Sequence, residues 1–163
     1  MALGRIEELP KRVYLSVADG KIVHTTSDKK KEYFSFVEGK LEKIYKSERD
    51  FNGERVLYWY VDLRGSEKEL YTLSFPYRSG TFKSIVLCLA SCPTLGFQDV
   101  KIEPYLKNGF TKVVVSVGGT RLDWVIKELP EVKEVLVGGQ RIKDDSERMK
   151  LIEHYVEEIK KLL

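Results

Sequence analysis

Side chains that commonly carry out catalysis or bind metals are sparse in this sequence of 163 residues. It contains two histidines, His24 and His154, and two cysteines, Cys88 and Cys92. Neither histidine has a Cys, Asp or Glu at the spacing of a metal site or a catalytic triad. The carboxylates are scattered among basic residues, and no two of them lie together at an apolar position suited to general acid–base catalysis. We therefore expect no enzymatic activity, no catalytic residue, no bound metal and no cofactor.

The two cysteines lie four positions apart on a predicted helix. Buried small hydrophobic residues are the favoured interpretation, and a redox pair is the alternative. Two cysteines cannot form a disulfide framework, and the first residues lack the basic and apolar segments of a signal peptide. No apolar run approaches the roughly 18–20 residues of a membrane span. These features predict a cytoplasmic protein without a membrane partner.

Aromatic residues interspersed with basic ones are the chemical feature that stands out. Nine Tyr, seven Phe and two Trp make up 11% of the chain. Proteins bind single-stranded nucleic acid with a basic groove for the phosphates and with rings on which the bases stack, at about 1–3 kcal/mol per stacked base. The net charge is only +3, from 28 Lys and Arg against 25 Asp and Glu. Composition alone therefore does not indicate a nucleic-acid-binding protein. What matters is whether the fold brings the aromatic and basic residues together on one surface.

The elements that would position these residues centre on residues 71–117. Tyr71, Leu73 and Phe75 alternate with polar residues, which predicts a strand. An apolar stripe of helical spacing follows within residues 81–92, and a hairpin is predicted around residues 106–109. Two further strands precede Tyr71, at 34–46 with a bend near Gly39 and at 54–63, and Asn52-Gly53 is the signal of the turn between them. The resulting order, β-β-β-α-β-β, predicts a mainly β fold with a five-stranded barrel of the OB type.

Flanking segments complete a single predicted OB-like domain over residues 1–163. Residues 1–32 form a leading hairpin and linker, 33–124 the barrel, and 125–163 a small hairpin and a C-terminal helix. Within the first part, residues 1–12 are a predicted flexible lead-in, and Asp19-Gly20 is a tight-turn signal in a hairpin over 13–24. The polar stretch 25–32 contains Lys29, Lys30 and Lys31, which predict a solvated loop or, alternatively, a phosphate contact. The last helix is predicted over residues 146–163.

The ligand surface of an OB barrel comprises the exposed face of strands two and three and the loops joining strands one to two and four to five. We expect phosphate contacts from Arg49, Arg78, Lys83, Lys107 and Lys112, and base stacking on Phe51, Tyr58, Tyr60, Tyr77 and Phe110. Arg55 in the first loop and Tyr105 in the last complete the candidate nucleic-acid-binding residues. Trp59 is predicted to lie in the core, on the face opposite Tyr58 and Tyr60. The reverse assignment, with the two tyrosines inside, stays open because both faces of this strand are apolar.

Four segments resemble those of a known family. They are Leu70 to Gly80, Asp99 to Tyr105, Val135 to Ile142 and Asp144 to Met149. In these segments the chain resembles small single-stranded-DNA-binding-like proteins carried by phages and mobile elements of gut bacteria. The resemblance covers roughly residues 13–163, and its most specific motifs are the Tyr-x-Ser-Gly corner and the Asp-Asp-Ser before the last helix. It implies an OB-like barrel with a leading hairpin and a trailing helix.

The chain differs from the wider single-stranded-DNA-binding pattern at its C-terminal end. Such proteins commonly finish in a flexible acidic tail, whereas residues 157–163 form a helical segment with a basic finish. We expect non-enzymatic, largely sequence-independent binding of single-stranded DNA in replication, recombination or repair of phage or mobile DNA. RNA is not excluded, replication or recombination proteins are candidate partners, and the oligomeric state is open. The alternative is a protein-interaction module that uses the same barrel face or the C-terminal helix.

Overall fold

The structure, a computed structural model, describes residues 11–163. The predicted lead-in over residues 1–12 therefore lies almost entirely outside the described residues, and Arg12 already begins a strand. The strands are β1 Arg12–Ala18, β2 Lys21–Thr25, β3 Lys31–Phe34, β4 Val37–Phe51, β5 Glu54–Arg64, β6 Leu70–Pro76, β7 Asp99–Lys107, β8 Phe110–Val117, β9 Thr120–Arg121, β10 Lys133–Val137 and β11 Gln140–Asp144. The helices are α1 Gly80–Leu89 and α2 Ser146–Lys160, with a short 3₁₀ turn at Leu95–Phe97.

Nine strands form one sheet in the order β3-β2-β1-β6-β5-β4-β7-β8-β9. Neighbouring strands are antiparallel except for β1 and β6, which run parallel with Arg12 opposite Leu70. β10 and β11 form a separate two-stranded sheet, which is the small hairpin predicted within residues 125–163. The protein is thus mainly β with a C-terminal helix, as predicted.

Tight turns connect the hairpins at the positions that the sequence predicts. In Asp19-Gly20, Asn52-Gly53 and Asn108-Gly109 both residues have positive φ. Asn, Asp and Gly tolerate this conformation, which two-residue hairpin turns require at both central positions. These turns fix the hairpin registers, and with them the face of the sheet on which every side chain of the paired strands lies.

The longest strand, β4, is shared between two partners. Its first residues pair with β7, whereas Lys40 to Phe51 pair with β5. A β-bulge interrupts the β5 register between Leu41 and Lys43. The predicted bend falls at Gly39, where a Cβ atom would lie only 2.6 Å from the carbonyl oxygen of Arg64. Glycine is therefore needed at this crossing, and the strand runs from Val37 to Phe51 rather than over the predicted 34–46.

One side of the sheet, called the inner face here, packs against α1. Trp59 of β5 is 2% exposed and stacks on Phe82 of α1, with ring centroids 4.8 Å apart. α1 is buried nearly all round, and α2 contributes a stripe of buried residues to the same core: Ile152, Val156 and Ile159. The prediction that Trp59 lies in the core is confirmed. Neither of these helices is long and apolar enough to cross a membrane.

A closed five-stranded barrel is not confirmed, because the sheet has nine strands and stays open. The five predicted barrel strands are β4 to β8, and they are adjacent in the order β6-β5-β4-β7-β8. Closure would pair β6 with β8, but β1 occupies the free edge of β6 instead. The sheet nevertheless curls, since the amide of Gly20 in the β1–β2 turn donates to Oγ1 of Thr111 in β8 at 3.1 Å.

Two short strands, β3 and β9, were not predicted from the sequence. β3 takes up the end of the predicted polar loop over 25–32, and all four of its residues are exposed. β9 has two residues, both exposed. Alternation of buried and exposed residues is the sequence signal of a strand, and strands exposed on both faces do not produce it.

Candidate nucleic-acid interface

The β4–β5 hairpin separates its side chains into two sets. Trp59, Val61 and Leu63 lie on the inner face and are buried, whereas Tyr58 and Tyr60 lie on the opposite side and are partly exposed. We call this opposite side the outer face. The structure thus decides between the two assignments that the sequence left open, because successive residues of a strand point to opposite sides.

Tyrosine rings form the centre of the outer face. Tyr45 of β4 lies directly opposite Tyr60 of β5, and their rings stack with centroids 5.2 Å apart and an interplanar angle of 20°. Tyr58 follows on the same side of β5, opposite Ser47. Tyr14 of β1 is exposed and is paired with Thr72 of β6. Flat aromatic surfaces therefore recur on adjacent strands of one sheet face.

A cation lies over each of four outer-face rings. Distances to the ring centroids are 4.9 Å for Arg49 over Tyr58, 5.1 Å for Lys43 over Tyr45, 5.9 Å for Arg12 over Tyr14 and 5.3 Å for Lys21 over Tyr33. These separations are within the roughly 6 Å range of cation–π attraction. Each ring thus has a positive charge beside it, which is the combination that a stacked base and its phosphate require.

A buried polar pair lies on the outer face itself, between Lys43 and Tyr14. Asp62 of β5 accepts a hydrogen bond from the hydroxyl of Thr72 of β6 at 2.7 Å, and both residues are buried. Burial, and then the Asp62 carboxylate, raise the pKa of the Tyr45 hydroxyl above its ordinary value of 10.0.

The predicted site residues of the β4–β5 hairpin divide between its two sides. Arg49, Tyr58 and Tyr60 lie on the outer face, and Phe51 at the hairpin tip is 63% exposed. Arg55 lies on the other side, where its guanidinium is 3.5 Å from the Glu48 carboxylate. Arg55 lies on the side opposite Arg49 because it is an even number of residues from Trp59 along β5, and such residues share one side of a strand.

Three predicted residues lie on the helix side of the sheet and do not share a surface with Tyr60. Tyr77 stacks on Trp59 with centroids 5.7 Å apart, and Arg78 is 3.4 Å from Asp145, just before α2. Lys83 in α1 is only 8% exposed, and burial lowers the pKa of its amine. The expected common groove therefore does not include these three residues, because β5 and β6 lie between them and the outer-face rings.

The remaining predicted residues, Tyr105, Lys107, Phe110 and Lys112, belong to the β7–β8 hairpin. Phe110 beside the turn is 68% exposed, and Tyr105 lies opposite Lys112. Tyr105 lines a hollow that also includes Lys21 and Tyr33, the pair at the β3 end of the outer face. This hairpin is thus a second exposed aromatic and basic segment next to the tyrosine surface.

Six residues of the outer face were not predicted from the sequence: Arg12, Tyr14, Lys21, Tyr33, Lys43 and Tyr45. The sequence contained a signal for two of these six residues, Tyr45 and Lys43. A two-residue turn at Asn52-Gly53 fixes the hairpin register and places Tyr45 beside Tyr60 and Lys43 beside Asp62. The residues of β1, β2 and β3 reach this face only through the parallel pairing of β1 with β6, which no local pattern encodes.

One histidine has a carboxylate partner in the described part of the chain, although the sequence predicted none for either histidine: His24 Nδ1 of β2 lies 3.1 Å from Glu32 Oε1 of β3. No group of three or more His, Cys, Asp or Glu side chains that could hold a metal ion occurs among residues 11–163. Cys88 and Cys92 are free and buried, as predicted for small hydrophobic residues. Burial raises the pKa of the Cys88 thiol to about 11, so this sulfur is protonated at neutral pH and is a poor nucleophile.

Fold and site together define a mainly β domain in which the sheet face opposite α1 combines tyrosine rings with cations. Comparisons with protein-family models, with curated proteins and with solved structures found no match to the chain. The function proposed next is therefore argued from the geometry and charge of this face.

Proposed function

We propose that the protein binds single-stranded DNA without catalysis and largely without sequence preference, and that the outer face is the binding surface. The observation that carries the proposal is the recurrence of one unit, a tyrosine ring with a cation over it, at four places on that face: Arg12–Tyr14, Lys21–Tyr33, Lys43–Tyr45 and Arg49–Tyr58. Rings bind bases of any sequence because every base has a π-face, and the cations neutralise the phosphates.

The dimensions of the face suit a short single strand. The rings are distributed over β3, β1, β5 and β4, within a run of six adjacent strands. At a strand spacing of about 4.8 Å, this run is about 24 Å wide. OB folds bind about 4–16 nucleotides per domain, and the lower part of that range suits such a width.

The fold is compatible with a relative of the OB barrel that has been opened by an added hairpin. β4 to β8 keep the strand order and the helix position expected of that barrel, and β1 occupies the edge at which it would close. A role in replication, recombination or repair of phage or mobile DNA belongs to this proposal, as does RNA as a second ligand. A protein partner on the same face is the competing assignment, and the cations over the rings favour the polyanion.

The test is a fluorescence anisotropy titration of labelled oligo-dT at low and at moderate salt. We expect saturable binding that weakens as salt rises, with a log–log slope of about −0.7 for each neutralised phosphate. A duplex of equal length is the matched control and should bind more weakly, because its bases are not free to stack on the tyrosines. Failure to bind oligo-dT at low salt would remove the proposal.

A further inference from the structure

A hollow lies at the β3 end of the outer face, between the β2–β3 hairpin and β7. Its volume is about 640 Å³. Its main lining residues are Lys21, Tyr33, Phe34, Glu103 and Tyr105, and we call it the Glu103 hollow. It adjoins the tyrosine surface because Tyr33 belongs to both, opposite Val23 of the neighbouring strand. A strand of nucleic acid crossing the outer face would thus reach this hollow.

The walls of the Glu103 hollow are aromatic and open to a ligand. Tyr33, Phe34 and Tyr105 are all exposed large residues, so three rings from β3 and β7 border one space. Lys21 contributes a positive charge, with its amine over the Tyr33 ring. Rings with an adjacent cation match the stacking surface of a nucleobase that is linked to a phosphate.

Glu103 distinguishes this hollow from the rest of the outer face. Its carboxylate makes no hydrogen bond or ion pair with another side chain among residues 11–163, although Lys101 and Lys112 lie on the same pair of strands. An ionised carboxylate only accepts hydrogen bonds. A ligand group that meets it must therefore be a donor, and the donors on nucleobases are ring N–H and exocyclic amino groups.

We propose that the Glu103 hollow receives one nucleobase that carries an exocyclic amino group and selects it over thymine. Cytosine presents its amino group to a carboxylate acceptor, as in the recognised contact between Glu or Asp and cytosine N4. Thymine presents a carbonyl oxygen at the same position, and its one ring N–H stands between two carbonyl oxygens, so a carboxylate that approaches it faces acceptors on both sides. This inference rests on the proposed function, and it adds one position of base preference to a surface that otherwise accepts any base.

The experiment compares oligo-dC with oligo-dT of equal length, by anisotropy in slightly alkaline buffer, for the wild type, Glu103→Gln and Glu38→Gln. Both bases are pyrimidines, so ring size and stacking are matched. We expect the wild type to bind oligo-dC on the order of fivefold more tightly than oligo-dT. Glu103→Gln should bring this ratio close to one, because the amide also offers a donor to the thymine carbonyl. Glu38→Gln, an exposed site on the neighbouring strand β4, should keep the ratio of the wild type.

The outcomes separate the two proposals. Equal affinity of the wild type for both oligonucleotides would overturn the base preference and leave the binding function intact. A preference for oligo-dC that survives in Glu103→Gln would also overturn it, since the selecting group would then lie elsewhere. Failure of both oligonucleotides to bind would overturn the binding function and the base preference together.

Discussion

Tyr45 and Tyr60 stack on each other across β4 and β5, with their ring centroids 5.2 Å apart. Each ring fixes the position of the other, so the aromatic surface exists before any ligand arrives. Lys43 over Tyr45 adds a charge at one end of the pair. A preformed surface loses little side-chain entropy on binding, and affinity gains from that.

Removing one ring of this pair should weaken binding. For Tyr60→Ala we expect the Kd for oligo-dT to rise about 5- to 150-fold, the equivalent of about 1–3 kcal/mol for one stacked base. Tyr60→Phe should stay close to the wild type, because the ring is kept. Phe97→Ala removes an exposed ring outside the outer face and serves as the control. An unchanged Kd for Tyr60→Ala would show that bases do not stack on this surface.

Arg49 and Arg55 offer a matched comparison, because they lie on opposite sides of one hairpin. Arg49 is over the Tyr58 ring, whereas Arg55 faces Glu48 on the other side. In salt titrations with oligo-dT, Arg49→Ala should reduce the magnitude of the log–log slope by about 0.7, the loss of one phosphate contact. Arg55→Ala should keep the slope of the wild type. Equal slope changes for both variants would contradict the assignment of binding to the outer face.

The Asp62–Thr72 hydrogen bond should contribute to stability. Thr72→Val removes the donor at 2.7 Å and leaves a buried carboxylate without it. We expect the free energy of unfolding, measured by urea denaturation, to fall by about 1–3 kcal/mol. Adding Asp62→Leu to this variant should recover part of the loss, because the buried charge is then gone. Ser74→Ala on the same strand is the control and should change stability by less than about 0.5 kcal/mol.

Cys88 should make stability depend on pH in the alkaline range. The thiol has a pKa of about 11 in the folded chain against an ordinary value of 9.0. Between these pH values the unfolded chain has lost the thiol proton and the folded chain keeps it, so the free energy of unfolding falls as pH rises. The contribution is fully present below pH 9 and lost as pH passes through 11.

Urea denaturation of the wild type and Cys88→Ala across this pH range isolates the effect. The difference in free energy of unfolding between the two proteins should decrease from pH 9 to pH 11. Groups common to both proteins, such as the buried Lys83, cancel in the difference. A difference that does not vary with pH would show that the thiol titrates alike in the folded and unfolded chains.

Much of the local structure could be predicted because short-range chemistry determines it. Asp19-Gly20, Asn52-Gly53 and Asn108-Gly109 form the turns expected of them, since they tolerate positive φ. Helix α1 follows from its apolar stripe, although it is buried nearly all round and not only along that stripe. Local pattern and native structure agree wherever the interacting residues are close in sequence.

Predictions of the site were right where they depended on alternation along one strand and wrong where they depended on an assumed closed barrel. Alternation along β5 correctly separated Tyr58 and Tyr60 from Trp59. Grouping Tyr77 and Lys83 with them required a barrel geometry, and the structure places both on the helix side. Tyr14 could not be predicted, because it reaches the outer face through a parallel pairing between residues far apart in the chain.

That pairing has a consequence for synthesis. During synthesis Arg12 is made before its partner Leu70. The β1–β2 hairpin therefore has no β6 strand to pair with until β6 has been made. Contacts between residues that are distant in sequence form slowly. Until β1 pairs with β6, β6 has an unpaired edge that other chains could join. The docked hairpin therefore protects this edge against aggregation, and a chain that begins at Lys31 would fold with the β6 edge unpaired.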